Sequence, residues 1–346
     1  MNHQQIFYKA IIQGNLEFGN EKSYSKIQTL YTQRMETLYK KDVIFKNPEA
    51  LFIPESYRLQ LGRHICNTSE KSWKNTISLL EYCAQFSFSG TINAWLTDNG
   101  KILQHFVIEP MGEKSMVTLY QEGKKLSEQI GSEEEAIKLF TEAIEKYDRH
   151  SQAYEKRGYM NYHLKNYDDA IYDFKKSIHI DDMNASAYYG LGRAYAIKNQ
   201  WNEAIQNMEE TCKHSVALQP LYWTARRFKA QCHMELNDYE RAAAEYKLFT
   251  TRQYGKTDPN YKHLPMAWFN YGKCLFAMGR LDDALEAFDQ SLSFQEDPNG
   301  GVPKATLLTH RGIARKAAGL PDYIVDLRRA SELGSETAAR ILAETV

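Results

Sequence analysis

Tyr154-Glu-Lys-Arg-Gly158-Tyr-Met-Asn-Tyr162, followed by Tyr167-Asp-Asp-Ala170-Ile171 and Phe174, is written a second time as Tyr188-Tyr-Gly-Leu-Gly192-Arg-Ala-Tyr195, Trp201-Asn-Glu-Ala204-Ile205 and Met208. The same 34 residues separate Gly158 from Gly192 and Ala170 from Ala204. A self-similar period of this length, with aromatic and small residues in fixed slots, marks a repeated pair of helices. On the first helix of each copy an aromatic precedes a small residue by four positions, so one face is bulky and then thin. The glycine lets the second helix come close, Ala170 and Ala204 supply the matching small residue, and Phe174 and Met208 cover the seam to the next copy. Neither pair can bury its apolar face alone, so the copies must stack.

Tyr154, Gly158, Ala170 and Phe174, with Tyr188, Leu191, Gly192, Tyr195 and Ala204, resemble the signature of tetratricopeptide repeats. The resemblance implies a right-handed α-solenoid whose first helices line a concave surface that holds other proteins. It says little about chemistry.

The pattern extends both ways. Upstream, Glu135-Ala136-Ile137 with Phe140 and Ala143 reads as a second helix, and a first helix from about Met116 to Gln129 has Tyr120 in the aromatic slot but Lys124 where glycine is expected. Downstream, Tyr239-Glu-Arg-Ala242 with Tyr246 is preceded by a helix over Tyr222–Met234. Trp268, Gly272, Leu281-Asp-Asp-Ala284 and Phe288 form the cleanest copy. The extra residues between these two copies fall in the polar stretch Gln253–Pro265, an insert of the kind that projects from one edge and contributes to binding. Leu308, Gly312, Gly319, Tyr323-Ile324, Leu327 and Ala330 form a degenerate sixth copy, and Ser335–Val346 reads as a closing helix. The array, about six helix pairs, is placed at 115–346 and the chain is mainly α.

Residues 1–111 lack this signature and read as a small α+β domain, ending near Pro110-Met-Gly112. Mixed three and four spacings suggest helices over Gln4–Gln13 and Tyr24–Lys40. Ser69 caps a helix through Trp73, Ile77, Leu80 and Cys83. Alternation then takes over, and Asn99-Gly100 between two alternating runs predicts a hairpin over 86–109. A two-residue loop there sets Leu96 opposite Leu103, Ala94 opposite His105 and Ile92 opposite Val107 on an apolar face, with Ser87, Thr91, Asn93, Trp95 and Thr97 on the other. A lone hairpin is marginal. It is expected to pack on the preceding helices, joined by a strand near Val43–Phe45 or Tyr57–Leu61.

Lysine and arginine total 43 against 44 acidic residues, so no global field calls for nucleic acid or a membrane surface. No apolar run reaches the roughly 18 residues of a membrane helix, and the opening residues lack a secretory pattern. The five cysteines, Cys66, Cys83, Cys212, Cys232 and Cys274, are scattered and odd in number, which suits small core residues in a reducing compartment. A cytoplasmic protein is expected. No phosphate loop, nucleophile elbow or metalloprotease motif is present. Cys212-x-His214 and Cys232-His233 come nearest to metal spacing but lie in or beside repeat helices, so neither metal nor cofactor is expected.

The resemblance places Glu155, Tyr159 and Tyr162, then Tyr189 and Arg193, Arg227 and Gln231, Phe269, Asn270 and Lys273, and Thr309 and Ile313 on the exposed face of successive first helices. Tyr159, Tyr162, Tyr189, Arg193, Arg227, Phe269, Asn270 and Lys273 are the expected partner-binding set, suited to a peptide or helix with acidic and apolar groups. Some members of the family clamp a chaperone's terminal carboxylates with lysine, asparagine and arginine. Fitted to the last three repeats, those places hold Arg227, Gln231, Asn270, Thr306 and His310, and only Asn270 matches. The expectation is therefore a non-enzymatic adaptor whose first domain has a partner of its own. The alternative is an enzyme or effector domain at the N-terminus, targeted by the repeats, with its chemistry at His64, Cys66, Cys83 or His105. Replacing Gly158 or Gly192 by leucine is expected to overpack the helix seam by about 1–3 kcal/mol, visible as a lower Tm; an unchanged Tm in both variants removes these glycines from the seam.

Overall fold

Phe7–Glu17, expected to begin in a helix, is the central strand β1 of an antiparallel sheet. Phe7, Ala10 and Ile11 imitate helical spacing, but the residues that turn into the core are Ala10, Ile12 and Leu16. Pairing on both sides, to Arg58–Ser69 and to Ser89–Asp98, satisfies the backbone and decides the conformation. The computed structural model describes residues 7–111, 115–294 and 301–344; the expectations placed on Gln4–Ile6, Gly112 and Thr345-Val346 lie outside the described residues.

After β1 come α1 (Glu21–Thr37), the short β2 (Phe52–Ile53), β3 (Arg58–Ser69), α2 (Glu70–Ala84), β4 (Ser89–Asp98) and β5 (Lys101–Ile108). The sheet order is β2-β3-β1-β4-β5. Helix α2 starts at the expected cap, where Ser72 N–H donates to Ser69 Oγ at 3.1 Å. Of the two candidate extra strands, Tyr57–Leu61 falls largely within the longer β3. Val43–Phe45 forms no strand: Val43 and Phe45 are buried, and Ile44 N–H donates to Thr76 Oγ1 at 2.9 Å. Helices α1 and α2 share one core with the sheet, in which Phe52 meets Phe18, Tyr24 and Tyr31, and Trp73 donates from Nε1 to Gln104 at 2.7 Å.

The hairpin turn has positive φ at both Asn99 and Gly100. Its register is corrected by one residue. Asp98 and Thr97 pair with Lys101 and Ile102, but a bulge then sets Leu96 opposite Gln104, Ala94 opposite Phe106 and Ile92 opposite Ile108. Leu103, His105 and Val107 therefore face away from the core, and Leu103 and Val107 are half exposed.

A second bulge, in β3, sets Gly62 and Arg63 opposite the single Gln13 of β1, while β1 keeps its alternation and carries polar side chains on the face opposite the core. Gly14 has φ +134, and a Cβ there would sit 2.0 Å from Thr91 O, so only glycine fits. Beyond it, Asn15 and Glu17 are buried. Glu17, 2 % exposed, accepts from Arg58 Nε and Nη2 at 3.0 and 2.9 Å on Oε1 and from Ser89 Oγ at 2.9 Å on Oε2, with Arg149 3.4 Å from Oε1. Arg58 also donates to the carbonyl of Ile180.

Those last contacts reach helices. The pairs α3 (Ser115–Ser127)/α4 (Glu133–Lys146) and α5 (Ser151–His163)/α6 (Tyr167–Ile180) form one compact unit with the sheet, ending at Met183. Phe88 stacks on Tyr147, and Gly90 N–H donates to Gln152 Oε1 at 3.1 Å. The second unit begins at Asn184 and holds α7 (Ala185–Ile197)/α8 (Trp201–His214), α9 (Pro220–Glu235)/α10 (Tyr239–Thr250), α11 (Leu264–Ala277)/α12 (Leu281–Leu292), α13 (Lys304–Ala317)/α14 (Tyr323–Glu332) and the closing α15 (Glu336–Ala343). The unit boundary thus lies between the second and third helix pairs, whereas the sequence reading divides the chain near Pro110. Ala136, Ala170, Ala204, Ala242 and Ala284 are fully buried in their slots. In the first pair the thin position is Gly123, one residue before the expected Lys124: a Cβ there would meet the Phe140 ring at 2.8 Å.

The first unit also contains a buried histidine. His150 Nδ1 accepts from Ala153 N–H at 3.3 Å at the start of α5, its ring lies 4.8 Å from Tyr120, and its Nε2 has no partner among the described residues. Burial pushes its pKa down to about 4.

Two predictions arise here. Arg58→Ala strands a buried carboxylate and is expected to destabilise the protein by about 3–5 kcal/mol; the double variant Glu17→Leu with Arg58→Met is expected to recover most of that loss in urea unfolding. A double variant no better than Arg58→Ala would show that packing, and not the unpaired charge, sets the cost. For His150 the folded value lies below the unfolded 6.5, so the unfolded chain takes up the proton first. Stability is full above about pH 6.5 and falls as the pH drops toward 4. His150→Asn keeps a capping side chain without a titrating group. Going from about pH 7 to about pH 5 it is expected to lose about 2 kcal/mol less than the wild type; parallel pH curves for the two proteins would mean that His150 is not buried as the neutral imidazole.

Candidate partner-binding groove

In three of the helix pairs a recurring ion pair fixes first helix to second. Arg157 reaches Asp173 at 2.7 Å, Arg226 reaches Glu245 at 2.6 Å and Arg311 reaches Asp326 at 2.6 Å. These arginines are structural. Because successive helical residues are rotated by about 100°, Arg227, next to Arg226, points to a different face.

That face lies on the first helices of the second unit. Helix α7 packs against α9, and α11 against α13, which puts the first helices on the inner side of the stack. Side chains meet across these contacts: Tyr189 lies 6.3 Å edge-on from Phe228, and Phe269 lies 5.0 Å edge-on from His310. Cations sit over the same rings, Arg193 at 5.7 Å above Tyr189 and Lys273 at 5.6 Å above Phe269. Asn270 donates from Nδ2 to Tyr246 Oη at 3.2 Å.

The structure thus brings Tyr189, Arg193, Arg227, Asn270 and Lys273 onto successive first helices, each half-buried. Phe269 belongs to the same row but is only 5 % exposed and packs against Phe288, so it serves the helix seam. Tyr159 and Tyr162 are in the first unit, where they pack edge-on against Phe174 and Tyr167. Glu155 and Thr309, expected to be exposed, are buried. Sequence reasoning missed Phe228, Tyr254 and His263, and weighed His310 only as a clamp place. The flagged insert carries Tyr254 and His263; Phe228 carries no signal beyond a position one residue from a chosen one.

Of the residues considered for chemistry, His64 and Cys66 line one open depression beside β3, and the others stand apart. Cys83 is inside the core of the first unit, its thiol pushed up to about 12 by burial. His64 lies tilted against Phe45 along an open depression beside β3, and His105 stacks on Trp95 at 4.9 Å. His214 stacks on Tyr188 and pairs with Glu210 at 3.2 Å, while burial raises Cys212 to about 11 and Cys232 to about 12. Among the described residues no helix is long and apolar enough to cross a membrane.

Family models described as tetratricopeptide repeat match residues 131–185, 189–255 and 265–298. The chain therefore carries tetratricopeptide repeats over residues 131–298, and no family model matches its N-terminal region. No curated protein matches it. A solved structure of PilF from Pseudomonas aeruginosa is similar over 66 % of this chain and 97 % of its own, at 17 % identity and a TM-score of 0.51, a likeness of fold alone. YrrB, described as a repeat protein with an unusual peptide-binding site, matches 60 % of this chain and 98 % of its own at 20 % identity and a TM-score of 0.49. PilW, a type IV pilus biogenesis factor, matches 66 % and 99 % at 18 % identity and a TM-score of 0.47.

Proposed function

We propose that this protein is a non-enzymatic adaptor whose second unit holds a segment of a partner protein against α7, α9 and α11. The observation that carries the reading is the ladder of half-buried cations on successive first helices, with Arg193 over the half-buried Tyr189 and Lys273 over the buried Phe269. Rigid aromatic and arginine side chains on a preformed surface are the kind of group that dominates protein interfaces. Their charge favours a segment that combines acidic with apolar residues.

A non-catalytic first unit is supported by Cys83 lying in the core, by His105 stacking on Trp95, and by burial that pushes up the Cys66 thiol beside His64. Five free cysteines favour a reducing, cytoplasmic setting.

The full-length protein, immobilised and offered cell extract, tests the reading. Tyr189→Ala with Arg193→Ala is expected to weaken the captured partner by about 2 kcal/mol or more without altering the circular dichroism spectrum, and added salt is expected to weaken wild-type capture. A partner retained equally by the double variant sinks the groove reading and turns attention to the sheet unit as an effector domain.

A further inference from the structure

The insert between α10 and α11 turns back over α9. Asn260, fully buried, accepts from Thr224 Oγ1 at 2.9 Å and donates from Nδ2 to the carbonyl of Pro220 at 3.0 Å, both on α9. This fixes the insert so that Tyr254 and His263 come within electrostatic reach of Arg227. Tyr254 is held by the Phe249 ring at 5.1 Å and by Trp223 at 6.2 Å.

Two donors in this cluster are unused. Arg227 Nε–H and Tyr254 O–H are buried and have no hydrogen-bond partner among the described residues. A buried donor left unpaired carries a desolvation penalty, and its persistence on two half-buried side chains points to a ligand that would satisfy both. Arg58, Arg157, Arg226 and Arg311 each have a carboxylate. The groups that bear on Arg227 are the tyrosines at 189, 246 and 254. Burial and the neighbouring Arg227 push His263 down to about 4, so at neutral pH it adds no charge. Arg252 lies over Trp223 and donates to the Ala217 carbonyl, and the acid nearest Tyr254, Asp258, accepts from Asn260 N–H at 2.8 Å. One cation without a carboxylate partner among the described residues, with an unused donor of its own and a second on a neighbouring tyrosine, suits a monoanion with two oxygens.

We propose that Arg227, Tyr254 and His263 form an anion pocket that receives a carboxylate side chain of the bound segment, with Arg227 Nε–H and Tyr254 O–H as the donors. This rests on the groove reading and assigns its acidic anchor. It shares only Arg227 with the clamp positions, and the insert supplies its other two residues.

Glutarate, which carries the carboxylate of a glutamate side chain, is the probe for the full-length protein, read by the Arg227 Nε–H resonance in proton–nitrogen spectra. Saturable movement of that resonance is expected, with affinity at least about tenfold above that of uncharged glutaramide. Tyr254→Phe is expected to weaken glutarate about fivefold at unchanged Tm. Arg227→Lys, which keeps the charge and loses the planar donor, is expected to lose the saturable binding seen by calorimetry. An unmoved resonance, wild-type binding by Arg227→Lys, or inorganic phosphate binding more than about tenfold tighter than glutarate overturns the pocket. A partner captured through Tyr189 and Arg193 by a protein that ignores glutarate refutes the pocket alone; glutarate binding by a protein that captures partners without those residues refutes the groove alone.

Discussion

The carboxylate of Glu17 and the guanidinium of Arg58 form the contact on which the first unit depends. Both are withdrawn from water at the end of β1 and the start of β3, where the loss of hydration for two charges is severe. The loss is offset because several segments contribute donors. Ser89 from β4 takes one oxygen of Glu17, Arg149 from the α4–α5 connection approaches the other, and Arg58 reaches on to the last carbonyl of α6. A greasy replacement of the same volume could match the energy, but it could not specify strand register and helix placement together. The unbroken alternation of β1 is what makes this possible, since turning Ala10, Ile12 and Leu16 into the core leaves Glu17 on the opposite face.

The same residue types do different work in the two units. In α5, Glu155 is buried, and Arg157 is committed to Asp173. In α9, Arg226 takes the structural role, so the adjacent Arg227 is released from it. A dipeptide of two arginines in a first helix thus provides one residue for packing and one for recognition, and the helical rotation between them does the sorting.

What the sequence made legible follows from how local each signal is. The repeat helices were readable because their slots lie within one pair: Gly158 answers Phe174, and Ala204 faces Gly192. Ser69 as a cap and Asn99-Gly100 as a turn were readable for the same reason, since each acts over three or four residues. Strand β1 was not, because its conformation is decided by two partners that lie about 50 and 80 residues away in sequence. The hairpin register failed at Leu103, since a bulge leaves no mark in an alternating pattern except a face that is wrong by one. In the groove, the residue types were legible but their burial was not: Phe269 looks like an anchor until Phe288 and His310 are seen against it. Tyr254 and His263 were hidden because an insert has no period to read.

Stacked repeats behave as a one-dimensional chain of units, each sensing only its neighbours, so they ordinarily fray one pair at a time from an end. The insert breaks that rule at one place. Asn260 bonds back to Pro220 and Thr224 on α9 while its own segment leads directly into α11. Opening α11 therefore disturbs the fixed course of the insert over α9, and opening α9 removes the partners of Asn260. The two pairs are coupled by hydrogen bonds as well as by their shared apolar seam. In the second unit, local opening then proceeds in blocks of unequal size, with α9 through α12 moving as one cooperative segment between more independent flanks. The residues of the anion pocket all lie inside that block.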